Sequence, residues 1–135
     1  MPFTKIIISY LLTTLVFFAI DMVWLAVLAK NIYKKYLGSF LSDTVNWTAA
    51  IIFYLLFIVG IFIFSIMPAH ESNSISKAII TGALFGFFTY ATYDLTNLAT
   101  LKNWPLPIVF IDIAWGMVLT ALVSTAGFYI VKWVS

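Results

Sequence analysis

From Trp47 to Met67 the chain runs the thickness of a membrane without one charged residue, and three further stretches are nearly as apolar. A helix rises about 1.5 Å per residue, so about 20 such residues cross the roughly 30 Å hydrocarbon layer of a bilayer. Spans are expected at residues 6–29, 47–67, 78–101 and 106–131. Within lipid every backbone polar group must be paired inside the chain, which for runs of this length selects α-helices. The expected fold is therefore all-α: a polytopic four-transmembrane-helix bundle, with residues 1–135 forming one membrane domain. A soluble alternative fails on composition, because 64% of the residues are hydrophobic and 9% charged, against roughly 45–50% and about 25% in soluble domains. Too few polar residues remain to cover a globule of this size.

The connectors have distinct characters. Lys5 before the first apolar run gives it some look of a signal peptide, but Asp21 interrupts the run and no small-x-small cleavage pattern follows. Between spans one and two, Ile32, Tyr33, Tyr36, Leu37, Phe40 and Leu41 fall on one helical stripe opposite Lys34, Lys35 and Ser39. That pattern predicts a short interfacial helix, or an extension of the first span beyond the bilayer. Ser42, Asp43 and Thr44 supply capping side chains before span two, and Pro68 is expected to end that span. Pro68 to Ser76 is the one clearly polar connector, while Lys102 to Pro107 reads as a tight turn. Trp47, Trp104 and Trp133 are expected at membrane interfaces. Lys30, Lys34, Lys35 and Lys102 lie on one side and Lys5, Lys77 and Lys132 on the other, so lysine placement favours neither orientation.

Chemistry points to the interior of the spans. Asp21, Asp94 and Asp112 lie within apolar runs, where a charged side chain costs several kcal/mol unless it is paired, protonated or facing a polar interior. Converted to depth along antiparallel helices, they lie about 5, 6 and 10 Å from the midplane, all toward the face bearing loops one and three. Tyr10, Thr14, Phe17, Asp21 and Trp24 form one stripe, and Gly82, Gly86, Tyr90, Tyr93, Asp94 and Asn97 another. Asp112, Gly116, Thr120 and Ser124 recur at four-residue intervals on span four. The small residues permit close helix contact, so spans one, three and four are expected to surround the carboxylates, with span two a lipid-facing or packing element. The candidate binding residues are Asp21, Trp24, Tyr90, Tyr93, Asp94, Asn97, Asp112 and Trp115.

Ile20-Asp21-x-x-Trp24 recurs as Ile111-Asp112-x-x-Trp115 on a helix running the other way, and Asp21 to Leu28 has a counterpart in Asp94 to Leu101. The stretch from Gly86 to Leu101, together with Asp112-Ile113-Ala114-Trp115-Gly116 and Asp21-x-x-Trp24-Leu25, resembles a family of small predicted bacterial membrane proteins, domain-of-unknown-function family 2177. The resemblance extends over nearly the whole chain. It implies four spans and a bacterial, inner-membrane setting, and it implies no activity.

Carboxylates gathered in a low-dielectric site are not expected all to be ionised, and should titrate as a coupled set. That suits proton relay or cation binding, and equally a static hydrogen-bonded network that fixes helix register. Three functions follow. In the first, the acids bind or conduct a cation, a proton or a small polar or amine solute, with a homo-oligomer as the working form. In the second, they act as general bases or as Mg²⁺ ligands in a membrane-embedded enzyme on lipid, although no Gly-x-Ser-x-Gly or His-x-x-x-His pattern supports one. In the third, the chain is an accessory subunit for a membrane partner protein. The chain has no Cys, no Arg and a single His, His70, so no cofactor or metal site is expected. With no basic block, the bilayer rather than nucleic acid is the expected partner.

Overall fold

The structure, a computed structural model, describes all residues from Met1 to Ser135. It is wholly helical, with α1 at Phe3–Leu28, α2 at Lys30–Leu37, α3 at Trp47–Glu71, α4 at Ile75–Thr100 and α5 at Leu106–Val134. The four long helices have 25 to 29 residues, each enough to cross the hydrocarbon layer. Local chemistry sets their starts. The Asn46 side chain accepts the Ala49 N–H at 3.1 Å and Ser74 accepts that of Lys77 at 3.2 Å, satisfying donors the first turn leaves open. Helix α5 begins after Pro105 with Pro107 in its first turn, where a missing N–H costs nothing.

Two wide, π-helical turns depart from the expected regularity. In α1 it spans Trp24–Leu28, where the Ala29 N–H reaches back to the Trp24 carbonyl at 2.7 Å, and the chain then bends into α2. In α3 it spans Phe62–Ile66. This second turn explains why the helix does not stop at Pro68 as expected. The Met67 N–H bonds to Phe62 instead of Ile63, and the opened turn accommodates the proline ring, so the helix continues to Glu71.

The bundle is organised by backbone contact between α4 and α5. A Cβ placed on Gly86 would lie 2.0 Å from the Gly116 carbonyl oxygen, and one on Gly82 would lie 2.7 Å from that of Thr120. Only glycine permits this approach. Helix α1 packs on α5 through a fully buried four-residue stripe, Ser9, Thr13, Phe17 and Asp21. The buried face is thus rotated from the expected one. Thr14 bonds to its own Tyr10 carbonyl at 2.8 Å, and Tyr10 donates to the Leu55 carbonyl of α3 at 2.8 Å.

Helix α3 meets α4 and α5 most closely at its wide turn. There Ser65 bonds to Ser124, to Thr81 at 2.7 Å and to the Ala78 carbonyl at 3.1 Å. Toward its N-terminus α3 lies farther from α4, and aromatic rings fill the interval. Phe57 meets Phe85 at 5.3 Å and Tyr90 at 6.2 Å between ring centroids. The threonines of α4 bond to carbonyls of their own helix, Thr89 to Phe85 at 2.7 Å and Thr100 to Thr96 at 2.8 Å, so their hydroxyls are satisfied internally. Large apolar side chains such as Leu15, Leu56, Ile63, Phe88 and Phe110 cover the outer surface, as contact with lipid requires.

Helix α2 folds back onto the start of α5. Its Leu37 is buried with Trp104, Ile108 and Val109, and Ile32, Tyr33 and Tyr36 pack beside them. The 102–105 turn brings the Trp104 indole beneath α2, where it is 7% exposed, while Trp47 and Trp133 are 67% and 79% exposed.

Candidate functional site

The antiparallel crossing of α1 and α5 brings the two Asp-x-x-Trp segments together. The Trp24 and Trp115 rings stack at 4.4 Å with planes inclined by 7°, an offset-stacked distance favoured by aromatic quadrupoles. Each tryptophan addresses the aspartate of the opposite segment. Trp115 lies beside Asp21, and Trp24 donates its indole N–H at 3.2 Å to the Tyr33 hydroxyl, which in turn donates to Asp112. Because the helices run in opposite directions, the repeated segments meet with their tryptophans stacked, Trp115 beside Asp21 and Trp24 linked to Asp112 through Tyr33.

This arrangement borders a cavity of about 500 Å³, within the range of small-molecule sites. Of the candidate residues, Asp21, Trp24, Tyr90, Tyr93, Asp112 and Trp115 form its wall. Two do not. Asp94 is completely buried behind the wall, next to Asp112 and the Trp104 indole. Asn97 lies one turn beyond Tyr93 and adjoins it from outside the cavity.

The wall also contains side chains that the sequence pattern did not single out. Tyr33 comes from α2, and Tyr54, Phe53 and Phe57 come from α3, which is therefore part of the site. Tyr54 adjoins Asp21. Nothing in the charge pattern of span two marked Tyr54, and Tyr33 stood out only as one position on an amphipathic stripe. Both become visible once α2 folds back and α3 leans away from α4.

The electrostatics are those of carboxylates among neutral donors. Burial first, and then the neighbouring Asp112 carboxylate, push the Tyr33 phenol well above its ordinary value, so it remains a donor. Asp21 is 4% exposed, Asp94 0% and Asp112 6%. Asp94 and Asp112 adjoin each other, whereas Asp21 lies separately beside Tyr54 and Trp115. The acids thus form a pair and a single, and no three of the chain's acidic and histidine side chains converge as a metal cluster.

Four apolar membrane-length helices around a buried polar interior define a multi-pass integral membrane protein, in contact with the lipid bilayer. More particularly, the chain belongs to the predicted membrane protein family DUF2177, whose model matches residues 6–129. No curated protein and no solved structure matches it.

Proposed function

We propose that the protein binds a small organic cation of the amine class in the cavity between α1, α3, α4 and α5, and serves its passage through the bacterial inner membrane. One observation carries this reading: two buried carboxylates, Asp21 and Asp112, stand on a wall otherwise built largely of aromatic rings. Ring faces attract ammonium groups, each by about 0.5–2 kcal/mol according to desolvation. The two carboxylates supply the opposite charge that such a guest needs in a low-dielectric interior. A metal ion prefers convergent oxygen ligands, whereas here aromatic surface separates the acids.

The test is a titration of the purified full-length protein in detergent with primary through quaternary alkylammonium ions, followed by tryptophan fluorescence. Trp24 and Trp115 report directly because both line the cavity. Saturable quenching is expected, with Asp21→Asn weakening it about tenfold or more, equivalent to about 1.4 kcal/mol or above. No saturable response to any ammonium ion, or an Asp21→Asn affinity equal to wild type, overturns the proposal. Uptake into proteoliposomes then separates passage from binding alone.

A further inference from the structure

Behind the cavity wall, the Asp94 carboxyl is 0% exposed, and neither of its oxygens has a hydrogen-bond partner. The Trp104 indole N–H beside it, in a residue 7% exposed, is likewise unpartnered. Native interiors rarely leave three such atoms unsatisfied together. Asp112 is the nearest acidic neighbour and forms part of the cavity wall.

The groups facing this pair come from every packed element. They are Tyr33 of α2, Tyr90 and Tyr93 of α4, and, elsewhere on the cavity wall, Asp21 of α1 with Tyr54 of α3. None of the groups acting on the two carboxyls is a lysine. Two adjoining carboxylates without a counter-cation do not both ionise in a low-dielectric interior. A proton between them gives Asp94 the partner it lacks and leaves the pair with a single negative charge.

We infer that Asp94 and Asp112 share one proton in the empty protein, and that an organic cation arriving at Asp112 displaces it to bulk water, coupling solute binding to proton exchange. The exchange balances: one positive charge enters the site and one proton leaves, so the net charge of the site is unchanged. Tyr33 keeps its own proton and orients the Asp112 carboxylate through the hydrogen bond that also engages Trp24. Asp94 does not touch the solute. It stores the proton behind the wall and makes the Asp112 charge conditional on occupancy. This inference rests on the cavity being an organic-cation site, and its test separates the two.

Tetramethylammonium is the probe, because it has no proton of its own to lose. Added to weakly buffered wild-type protein, it is expected to release about one proton per cation bound, read by a pH-indicator dye. On the acid limb its apparent Kd should fall about tenfold per pH unit. Asp94→Asn should bind it with an affinity independent of pH and release no proton. Separately, infrared spectra of the empty wild-type protein should contain a protonated-carboxyl band that Asp94→Asn abolishes.

Binding without proton release overturns the coupling, as does release undiminished in Asp94→Asn. Absence of the infrared band overturns the shared proton. Failure of tetramethylammonium to bind at any pH removes the functional reading and the coupling with it, while the infrared arm still decides the proton pair. Should Asp94→Asn not fold, the wild-type proton count and the wild-type band decide alone.

Discussion

The backbone contact between α4 and α5 sets the spacing of the whole bundle, and replacing Gly86 by alanine is its sharpest perturbation. The added methyl would fall 2.0 Å from the Gly116 carbonyl oxygen and 2.0 Å from Thr120 Oγ1, whereas real methyl contacts are essentially never under 3.0 Å. The helices must therefore separate by about 1 Å. The obstructing Gly116 carbonyl is backbone and cannot rotate away, so the cost is that of overpacking, about 1–3 kcal/mol. Gly60→Ala provides the internal comparison. Its methyl meets the Phe85 ring edge at 2.7 Å, the far end of a flexible side chain. The ring can swing, and alanine's better helix propensity offsets part of the strain, leaving a cost below about 1 kcal/mol. Reversible unfolding in mixed micelles, followed by helicity, measures both variants. Equal stability of Gly86→Ala and wild type, or a cost no larger than that of Gly60→Ala, would refute the backbone contact between these helices.

Two further outcomes concern the cavity. Trp24→Phe and Trp115→Phe should each remove the same near-ultraviolet circular-dichroism signal, because it arises from the stacked pair, and each should lower stability by about 0.5–1.5 kcal/mol; retention of the signal in either variant counts against the stack. Tyr33 has a raised pKa in the folded state, so the stability it contributes is complete below its ordinary value of 10.0 and declines as pH rises above that, where the unfolded chain loses its proton first. Unfolding midpoints from about pH 8 to about pH 11 should therefore fall more steeply for wild type than for Tyr33→Phe, and parallel curves would contradict the placement of this phenol.

Much of the fold was legible because bilayer physics leaves few choices. Uncharged runs of sufficient length must be helices, and glycines at four-residue spacing must face another backbone, as Gly82 and Gly86 do against α5. The acids were equally conspicuous, since an aspartate in an apolar run has few places to go. What periodicity could not supply was the direction of each helix's lean. The rotation of α1 toward Ser9 and Thr13, the wide turn that carries α3 through Pro68, and the return of α2 onto α5 all arise from tertiary packing. Tyr33 and Tyr54 entered the site through those adjustments, while Asp94 and Asn97 stayed off its wall because of them.

The identity of the groups around the acids is what favours the proposed site over a static brace. Three acids within a bilayer cost about 2.5–3.5 kcal/mol each on an insertion scale, and a fixed lysine or arginine would be the direct remedy. Phenols and indoles surround them here instead: Tyr33 donates to Asp112, Tyr54 and Trp115 adjoin Asp21, and the unpartnered Trp104 indole adjoins Asp94. A fixed cation would neutralise a carboxylate permanently and leave nothing for a guest. Neutral donors orient the carboxylates without cancelling their charge, so the charge of the interior depends on mobile species. The two Asp-x-x-Trp segments, joined by their stacked indoles, bring Asp21 and Asp112 to one cavity wall, where the proposed guest would meet both. A brace needs only geometry, which asparagine would provide equally well; an interior that keeps its acids and excludes fixed cations is suited to exchanging one mobile cation for another.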